Sequence, residues 1–483
     1  MGATLLYTIV ALFFIFLIFK YWSREKYHLP PSPSLPLPVF GHLHLLKQPL
    51  HRTFRRFSQT HGPIFSLKLG VRRVVVVSSP DLVEECFTIN DVVFSNRPWF
   101  LVDKYVGYDH TTVAFAPYGH QWRGLRRLVA QEVLSPTRIN SFSRIRQDQV
   151  RQTMRNLISG NESGKLELRP KLFELIFNII MRMLAGKRYG GEEQENKQLG
   201  EQFREMVREV FEHAQSSNPE DFLPFLLWID YRGLKKKMVD LGKKLDDFYQ
   251  GLLEEHRREK RDTIIGHLLS LQESEPEFYT DQIIKGFITC ATKTGVASLD
   301  NLKNDCCGRG KGAEFEGDGG QVVESDGRDS GGDVVDVGGE GRSWCWKRWD
   351  NEDFRRARRQ RDTFRLIPAG PLVVPRESYA DCRVRGYDIP HGMILLVNAW
   401  AIHTDPEVWK EGAPGGWFGA TDGGVGFGIV DSVFLEWERV GLEEVDLAEG
   451  VGLTMLKLKP LEAMCRPRQD MLNVLQESLN FSS

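Results

Sequence analysis

The feature that most constrains this chain is an uncharged, strongly apolar run near its N-terminus, from Ala3 to Phe19. In a helix that rises about 1.5 Å per residue, about 17–20 residues cross a hydrocarbon core of about 30 Å. Three cations, Lys20, Arg24 and Lys26, follow the run. Because cations flank the cytosolic end of a span, we predict a single transmembrane anchor over residues 1–22 with the body of the chain in the cytosol.

A cleaved secretory signal is the alternative interpretation of this run, but no basic segment precedes it and no small-x-small cleavage site follows it. A basic and proline-rich segment comes next, over residues 23–41, with prolines at positions 30, 31, 33, 36 and 38. Closely spaced prolines favour an extended polyproline II conformation. The segment therefore predicts a stiff hinge between anchor and body.

The charges of the whole chain are balanced, with 63 Lys plus Arg against 65 Asp plus Glu in 483 residues. A net charge of -2 argues against a chain that coats nucleic acid, so no nucleic-acid partner is expected. The 7 cysteines are few and scattered, which argues against a disulfide scaffold and is typical of a reducing compartment.

The body of the chain is mainly helical in pattern, with a small β portion near its N-terminal side. Two apolar or β-branched runs, 64–69 and 73–77, flank a glycine and predict a β-hairpin. Pro80 then begins a helix, and an apolar helix is predicted over 171–185. A further amphipathic helix is indicated by one apolar stripe, formed by Met238, Leu241, Leu245, Phe248 and Leu252.

One local pair of side chains is suited to anion binding. Trp122 and Arg126 are four residues apart in a predicted helix and therefore share a face. An indole N–H and a guanidinium on one face can donate to a carboxylate or a phosphate. Without further context, an ordinary surface pair is the simpler interpretation.

Context comes from several separate segments that occur in a characteristic order. Besides the anchor and the hinge they are 94–98 (FSNRP), 122–126 (WRGLR), 221–224 (DFLP), 228–230 (WID), 363–368 (TFRLIP), 374–378 (VPRES), 436–440 (EWERV) and 452–455 (GLTM). Together they resemble the plant cytochrome P450 heme-thiolate monooxygenases, within the isoflavone-hydroxylase-like group. The resemblance covers about 1–289, 362–411 and 435–475.

The resemblance implies an N-terminal transmembrane helix followed by a cytochrome P450 fold with a heme b cofactor. It assigns the heme propionates to Trp122, Arg126, Arg97 and Arg376, and charge-assisted donors of this kind suit buried carboxylates. It also implies a structural acid–arginine pair at Asp362 and Arg365, where the family has Glu-x-x-Arg.

The activity implied by the resemblance is hydroxylation of a small aromatic metabolite, flavonoid- or phenylpropanoid-like, with O2. The electrons would come from NADPH-cytochrome P450 reductase. The implied location is the endoplasmic reticulum membrane, with one N-terminal anchor and a cytosolic body.

The chain departs from the family at the heme iron. Family members carry a thiolate ligand in a Phe-x-x-Gly-x-x-x-Cys-x-Gly loop, and that thiolate promotes O–O cleavage. Only Cys306 is followed by a glycine two residues later, and Leu299 and Leu302 occupy its upstream positions. Cys465 lies beyond the expected loop and is interpreted as a structural thiol. We therefore predict neither an axial cysteine, nor a catalytic residue, nor a protein-bound metal site.

A second departure is the segment 290–361. Twelve of the 45 glycines lie between positions 308 and 341, together with many acids, so this segment cannot offset its ordering entropy and is predicted to be disordered. An acquired flexible linker is the alternative. On this prediction the family-like core ends at Thr289, the central helix with its proton-relay motif is lost, and the helix over 171–185 loses a packing partner.

These boundaries divide the chain after the hinge into 42–289, the segment 290–361, and 362–483, in which 412–434 is aberrant. The sequence therefore predicts an incomplete cytochrome P450 fold without monooxygenase activity. Two alternatives to a working monooxygenase stay open. One is a non-catalytic remnant or pseudoenzyme, and the other is a frame-shifted translation of an active gene.

Overall fold

A computed structural model describes residues 7–8, 10–15, 27–133, 135–159, 165–189, 194–215, 218–297, 368, 370–409, 435–439 and 462–467. Its helices, in chain order, are α1 (Leu50–His61), α2 (Pro80–Glu84), α3 (Leu101–Tyr105), α4 (His120–Leu128), α5 (Pro136–Ser141), α6 (Ser143–Ser159), α7 (Leu168–Ala185), α8 (Gln194–Gln215), α9 (Pro219–Phe222), α10 (Leu234–Arg258), α11 (Ile264–Ser274), α12 (Asp281–Ala297) and α13 (Ala399–His403). Its strands are β1 (Ile64–Leu69), β2 (Arg72–Val77), β3 (Lys165–Glu167), β4 (Arg376–Glu377), β5 (Cys382–Val384), β6 (Tyr387–Ile389), β7 (Ile394–Val397), β8 (Leu435–Arg439) and β9 (Glu462–Pro467). Short 3-10 or π turns occupy Leu43–Leu45, Glu85–Ile89, Val93–Ser95, Val129–Val133, Pro224–Trp228 and Tyr231–Gly233.

The predicted hairpin and the helix after it are confirmed. β1 and β2 pair antiparallel from Ile64 opposite Val77 to Leu69 opposite Arg72, and Gly70 makes the turn in a left-handed conformation. The second strand begins one residue earlier than the pattern indicates. Helix α2 begins at Pro80, where a first-turn proline loses no helical hydrogen bond.

The main sheet takes its strands from both ends of the chain, in the order β1-β2-β7-β4. β7 runs parallel to β2 from Ile394 beside Val74 to Val397 beside Val77, and β4 pairs antiparallel with β7. The predicted β portion near the N-terminal side is therefore only half of this sheet. Local patterns miss the other half because a parallel pair joins segments that are distant in sequence.

The helical core confirms the mainly α prediction and the amphipathic helix. In α10 the residues Met238, Leu241, Leu245 and Leu252 are buried, and Phe248 is partly buried against the same cluster. Helices α7, α8, α11 and α12 pack around α10 or against one another. The apolar stripe is thus a packing surface.

The predicted end of the core at Thr289 lies inside a helix. α12 continues through Ala297, and Cys290 and Thr292 beyond the predicted boundary are buried. α12 packs against α7, in which Leu175, Met181 and other apolar residues are buried, so α7 has the partner that the sequence predicted it to lose. The apolar face of α12 explains why the helix continues past Thr289. Packing against α7 and α10 stabilises the helix even though a glycine-rich segment follows it.

The hinge lies partly on the body. Ser66 of β1 donates its backbone N–H to Pro31 O at 2.8 Å and its hydroxyl to Pro30 O at 2.7 Å. N-terminal to the hinge, residues 7–8 and 10–15 are helical. Within the described ranges, no helix combines the length and the apolarity needed to cross a membrane. The predicted disordered segment beyond residue 297 and the aberrant segment 412–434 lie outside the described residues.

Candidate functional site

The predicted pair Trp122 and Arg126 lies on α4, as its spacing indicates. The guanidinium carbon of Arg126 is 5.3 Å from the centroid of the Trp122 ring, which is a cation–π contact. Leu125 and Leu128 of α4 are buried in the helical core, and the partly buried Trp122 packs against the same cluster, so these contacts hold the helix in place. The two donors therefore share one surface of a helix whose rotation is set by packing.

Tyr118, just before α4, extends this surface. Its ring centroid is 5.6 Å from that of Trp122, and the guanidinium carbon of Arg123 is 5.7 Å from the Tyr118 ring. An aromatic ring stabilises a neighbouring cation through its quadrupole, and each ring also restricts the rotamers of the next. The row Arg126–Trp122–Tyr118 is therefore preorganised before any anion binds.

Arg97 is a buried guanidinium, with only 6% of its surface exposed. Its Nη1 donates to the backbone carbonyl of Pro375 at 3.0 Å and to that of Val374 at 3.4 Å. A buried cation requires such acceptors, because leaving it without them costs several kcal/mol. These bonds attach the segment around Arg97 to the segment that leads into β4.

Arg376 lies in β4, on the strand that follows those two carbonyls. Its guanidinium carbon is 4.6 Å from the Phe87 ring centroid, and its Nη1 donates to Phe94 O at 3.4 Å. Phe94 and Arg97 belong to the same short segment. The structure therefore brings the segments of Arg97 and Arg376 side by side, although almost 280 positions separate them in sequence.

Asn96 connects these two segments to the segment before α4. Its backbone carbonyl accepts the N–H of Glu377 at 3.0 Å, and its side-chain Oδ1 accepts the N–H of Tyr118 at 3.2 Å. The sequence did not identify Asn96 as a site residue. Its position beside Arg97 is the only local signal, and neither hydrogen-bond partner can be read from neighbouring residues.

Helix α12 contributes polar groups that the sequence also missed. The Tyr249 hydroxyl of α10 lies 3.3 Å from Thr292 Oγ1, and Thr292 Oγ1 donates to Ile288 O at 2.9 Å. Burial raises the pKa of Tyr249 to about 12, so the phenol is protonated at neutral pH. This hydroxyl pair joins α10 to α12 inside an otherwise apolar core.

The donor set fits the carboxylate side of heme b. Two arginines in adjoining segments, together with an arginine stacked on an indole, offer planar charge-assisted donors of the kind that bind carboxylates. The predicted structural pair Asp362 and Arg365 lies outside the described residues and stays a prediction.

The cysteines whose side chains the structure describes do not suit the role of a thiolate ligand to the heme iron. Cys86 and Cys382 pack together in an apolar cluster around the main sheet. Burial raises the pKa of Cys86 to about 12 and that of Cys382 to about 11, so both are thiols at neutral pH. Cys290 lies in the helical core on α12. Within the described part of the chain, these surroundings disfavour an iron-binding thiolate at all three positions.

Comparison with known proteins gives concordant matches. The family model described as cytochrome P450 matches residues 30–297 and 361–413. The first of these ranges ends with α12, which agrees with the helix continuing past Thr289.

Three curated plant proteins are similar over nearly their whole lengths. Cytochrome P450 81Q32 of Catharanthus roseus is 42% identical, over 99% of this chain and 99% of that protein. The (+)-piperitol/(+)-sesamin synthase of Sesamum radiatum is 41% identical over 99% and 100%. Isoflavone 2'-hydroxylase of Glycyrrhiza echinata is 38% identical over 95% and 96%.

A solved structure shares the fold. A zebra fish cytochrome P450 bound to abiraterone superposes with a TM-score of 0.63 at 17% identity, over 88% of this chain and 100% of that chain. At this identity the likeness concerns the fold alone.

Proposed function

Because the chain belongs to the cytochrome P450 family, we propose that it binds heme b through Arg97, Trp122, Arg126 and Arg376 but does not activate oxygen as written. The similar curated proteins are plant members of this family, among them an isoflavone 2'-hydroxylase. Heme, when bound, supplies the iron at which the family carries out oxygen chemistry. The observation that carries the proposal is the cation–π contact of Arg126 with Trp122, at 5.3 Å from the guanidinium carbon to the ring centroid, which places an indole and a guanidinium side by side on α4.

The role of these side chains is to hold carboxylates. Arg126 is oriented by the Trp122 ring and presents parallel N–H donors, while the indole offers one more. Arg97 is anchored by the carbonyls of Val374 and Pro375, so its position is defined before a ligand arrives. Preorganised donors bind more tightly than mobile ones, because less side-chain entropy is lost on binding.

The proposed loss of activity rests on the missing thiolate. The sequence has no cysteine in a family-like proximal loop, and the raised thiol pKa values of Cys86 and Cys382 argue against either as a substitute. These observations agree with the non-catalytic remnant. A frame-shifted translation of an active gene accounts equally for the absent loop, and full-length transcripts that restore such a loop would identify it.

The ancestral substrate we infer is a small aromatic compound, flavonoid- or phenylpropanoid-like, hydroxylated with O2 and electrons from NADPH-cytochrome P450 reductase. Its support is the similarity to an isoflavone 2'-hydroxylase and to a piperitol/sesamin synthase. Hydroxylation of the corresponding aromatic compounds by a variant with a restored proximal loop would test it.

We further propose a membrane anchor at the N-terminus and residence at the endoplasmic reticulum, with the body in the cytosol. The support is the uncharged run from Ala3 to Phe19 and the cations after it. In the helical part of the run the apolar side chains are exposed, among them Leu12 and Ile15 at 65% and 60%. Such a surface is stable in lipid and costly in water.

The proposed heme site is tested by titrating the detergent-solubilised full chain with hemin and following the Soret absorbance. Wild type should bind, Arg126→Ala should bind about ten-fold more weakly through loss of a charge-assisted donor, and Arg127→Ala should match wild type. Arg127 is the matched control, because it is the neighbouring arginine of α4 and is exposed. No binding by wild type, or equal binding by both variants, would overturn the heme site.

The missing thiolate is tested on the same hemin complex after reduction and addition of carbon monoxide. The expected spectrum lacks the red-shifted Soret band of a thiolate-ligated heme. Appearance of that band would show that a cysteine of this chain binds the iron and would contradict the proposed inactivity.

A further inference from the structure

We infer that Asn96 is a positioning residue for the heme site, which holds the segments of the four propionate-binding side chains in one arrangement. The inference rests on the proposed heme site and extends it to a residue that binds no heme atom itself. It is drawn from three hydrogen-bonded segments that meet at this residue, two through its backbone and one through its side chain.

The backbone of Asn96 joins the segments of Arg97 and Arg376. It follows the turn Val93–Ser95 in an extended conformation and forms an isolated antiparallel bridge with Glu377. The residue after Asn96 is Arg97, and the residue before Glu377 is Arg376. The bridge therefore sets the relative position of two arginines on neighbouring strand-like segments.

The side chain of Asn96 binds the third segment, which leads into α4. Its Oδ1 accepts the N–H of Tyr118, one residue before the glycine that precedes α4. The Tyr118 ring lies 5.6 Å from the Trp122 ring, and the latter lies 5.3 Å from the Arg126 guanidinium carbon. The single amide oxygen thus connects the row of α4 to the segments of Arg97 and Arg376.

The length of the Asn96 side chain suits it to accept the Tyr118 N–H. Aspartate is the only other standard side chain that places an oxygen acceptor at the same distance from the backbone. A shorter side chain leaves the Tyr118 N–H without this acceptor. A hydrogen bond of this type contributes about a five-fold change in an equilibrium constant, because its net stabilisation is about 1 kcal/mol.

Asn90 provides a matched control. Its Nδ2 donates to Arg383 O at 3.2 Å, so it also links the region before residue 97 to the C-terminal strands through one side chain–backbone hydrogen bond. Its partner lies in β5, in the small two-stranded sheet, and not in a segment that carries a propionate-binding residue. Asn90→Ala and Asn96→Ala should lower thermal stability to a similar extent.

The first measurement uses hydrogen–deuterium exchange of the full chain without heme. Asn96→Ala should increase exchange in the peptide that contains Tyr118, and Asn96→Asp should restore the protection there. The peptide that contains Glu377 should change less, because the Glu377 N–H donates to the Asn96 backbone carbonyl, which the substitution retains. Asn90→Ala should leave both peptides unchanged. Equal exchange in Asn96→Ala and wild type, or failure of Asn96→Asp to restore protection, would overturn the inference.

The second measurement is the hemin titration. Asn96→Ala should weaken hemin binding about five-fold, while Asn90→Ala should not change it, although both lower stability. If wild type binds hemin and Arg126→Ala weakens it while Asn96→Ala does not, this inference fails and the heme site stands. If wild type does not bind hemin, the heme site fails and the assignment of Asn96 fails with it.

Discussion

Lys285 of α12 forms an ion pair with Asp246 of α10, with 2.6 Å between Lys285 Nζ and Asp246 Oδ1. The ammonium group is nearly buried, and the hydroxyl of Tyr108 donates to the same carboxylate oxygen at 3.0 Å. Tyr108 belongs to three consecutive residues, 108–110, in the left-handed region of backbone conformation. The ion pair therefore links two core helices to a strained loop.

Removing the acid should cost more stability than removing the whole pair. Asp246→Asn keeps an oxygen acceptor for Tyr108 but leaves the buried ammonium of Lys285 without its counter-charge, so we expect a loss of about 2–3 kcal/mol in the free energy of unfolding. The double variant Asp246→Asn/Lys285→Met should recover part of that loss. Urea denaturation of the three proteins measures both values, and a double variant less stable than Asp246→Asn would contradict the expectation.

Two buried tyrosines of the helical core should respond differently to loss of their hydroxyl groups. Tyr249 and Tyr189 are each 1% exposed, but Tyr249 has Thr292 as a partner, whereas the Tyr189 hydroxyl has no hydrogen-bond partner among the described residues. Tyr249→Phe should cost about 1 kcal/mol, and Tyr189→Phe should be neutral or slightly stabilising. Thermal unfolding measures the stability of both variants. A greater loss of stability in Tyr189→Phe than in Tyr249→Phe would indicate a hydrogen-bond partner for the Tyr189 hydroxyl.

Asp221 should make stability depend on pH. Burial raises the pKa of this carboxyl from 3.8 to about 6, although the Leu101 N–H and Arg72 oppose the rise. The folded state therefore binds the proton more tightly than the unfolded state, and the free energy of unfolding falls as pH rises from about 4 to about 6. Asp221→Asn keeps an acceptor for Leu101, so its stability relative to wild type should increase by about 1–3 kcal/mol across that interval.

The control for this pH dependence is Asp388→Asn. The pKa of Asp388 is lowered by the His28 N–H and by Arg383, so Asp388 is ionised in both states above about pH 5. The stability of Asp388→Asn relative to wild type should therefore stay constant between about pH 5 and about pH 7. If Asp221→Asn shows the same constant difference, the carboxyl of Asp221 does not titrate with a raised pKa.

Charges inside the apolar N-terminal run should reduce membrane association. A single arginine near the centre of a spanning helix costs about 2.5–3.5 kcal/mol in insertion, so Leu12→Arg/Ile15→Arg should move the chain toward the soluble fraction. Leu35→Arg is the control, because Leu35 is 81% exposed and lies outside the run. Carbonate extraction and flotation measure the distribution. Equal membrane retention of all three proteins would contradict the anchor.

Much of the local structure could be predicted because its causes are local. The hairpin follows from two runs of β-forming residues on either side of Gly70, and α10 follows from apolar residues three and four apart. The pairing of Trp122 with Arg126 needs only the geometry of one helix. The family itself could also be inferred from the order of short segments, without knowledge of their contacts.

The tertiary structure alone decided how these pieces meet. The sheet receives β7 beside β2, α12 continues beyond Thr289, and Asn96 bonds to Tyr118 and Glu377. No local pattern specifies these partners, because each contact joins segments that are distant in sequence and is selected by burial of the whole core. Sequence by itself therefore determined which residues can form helices, strands and hydrogen-bond donors, whereas long-range packing determined which segments lie next to one another.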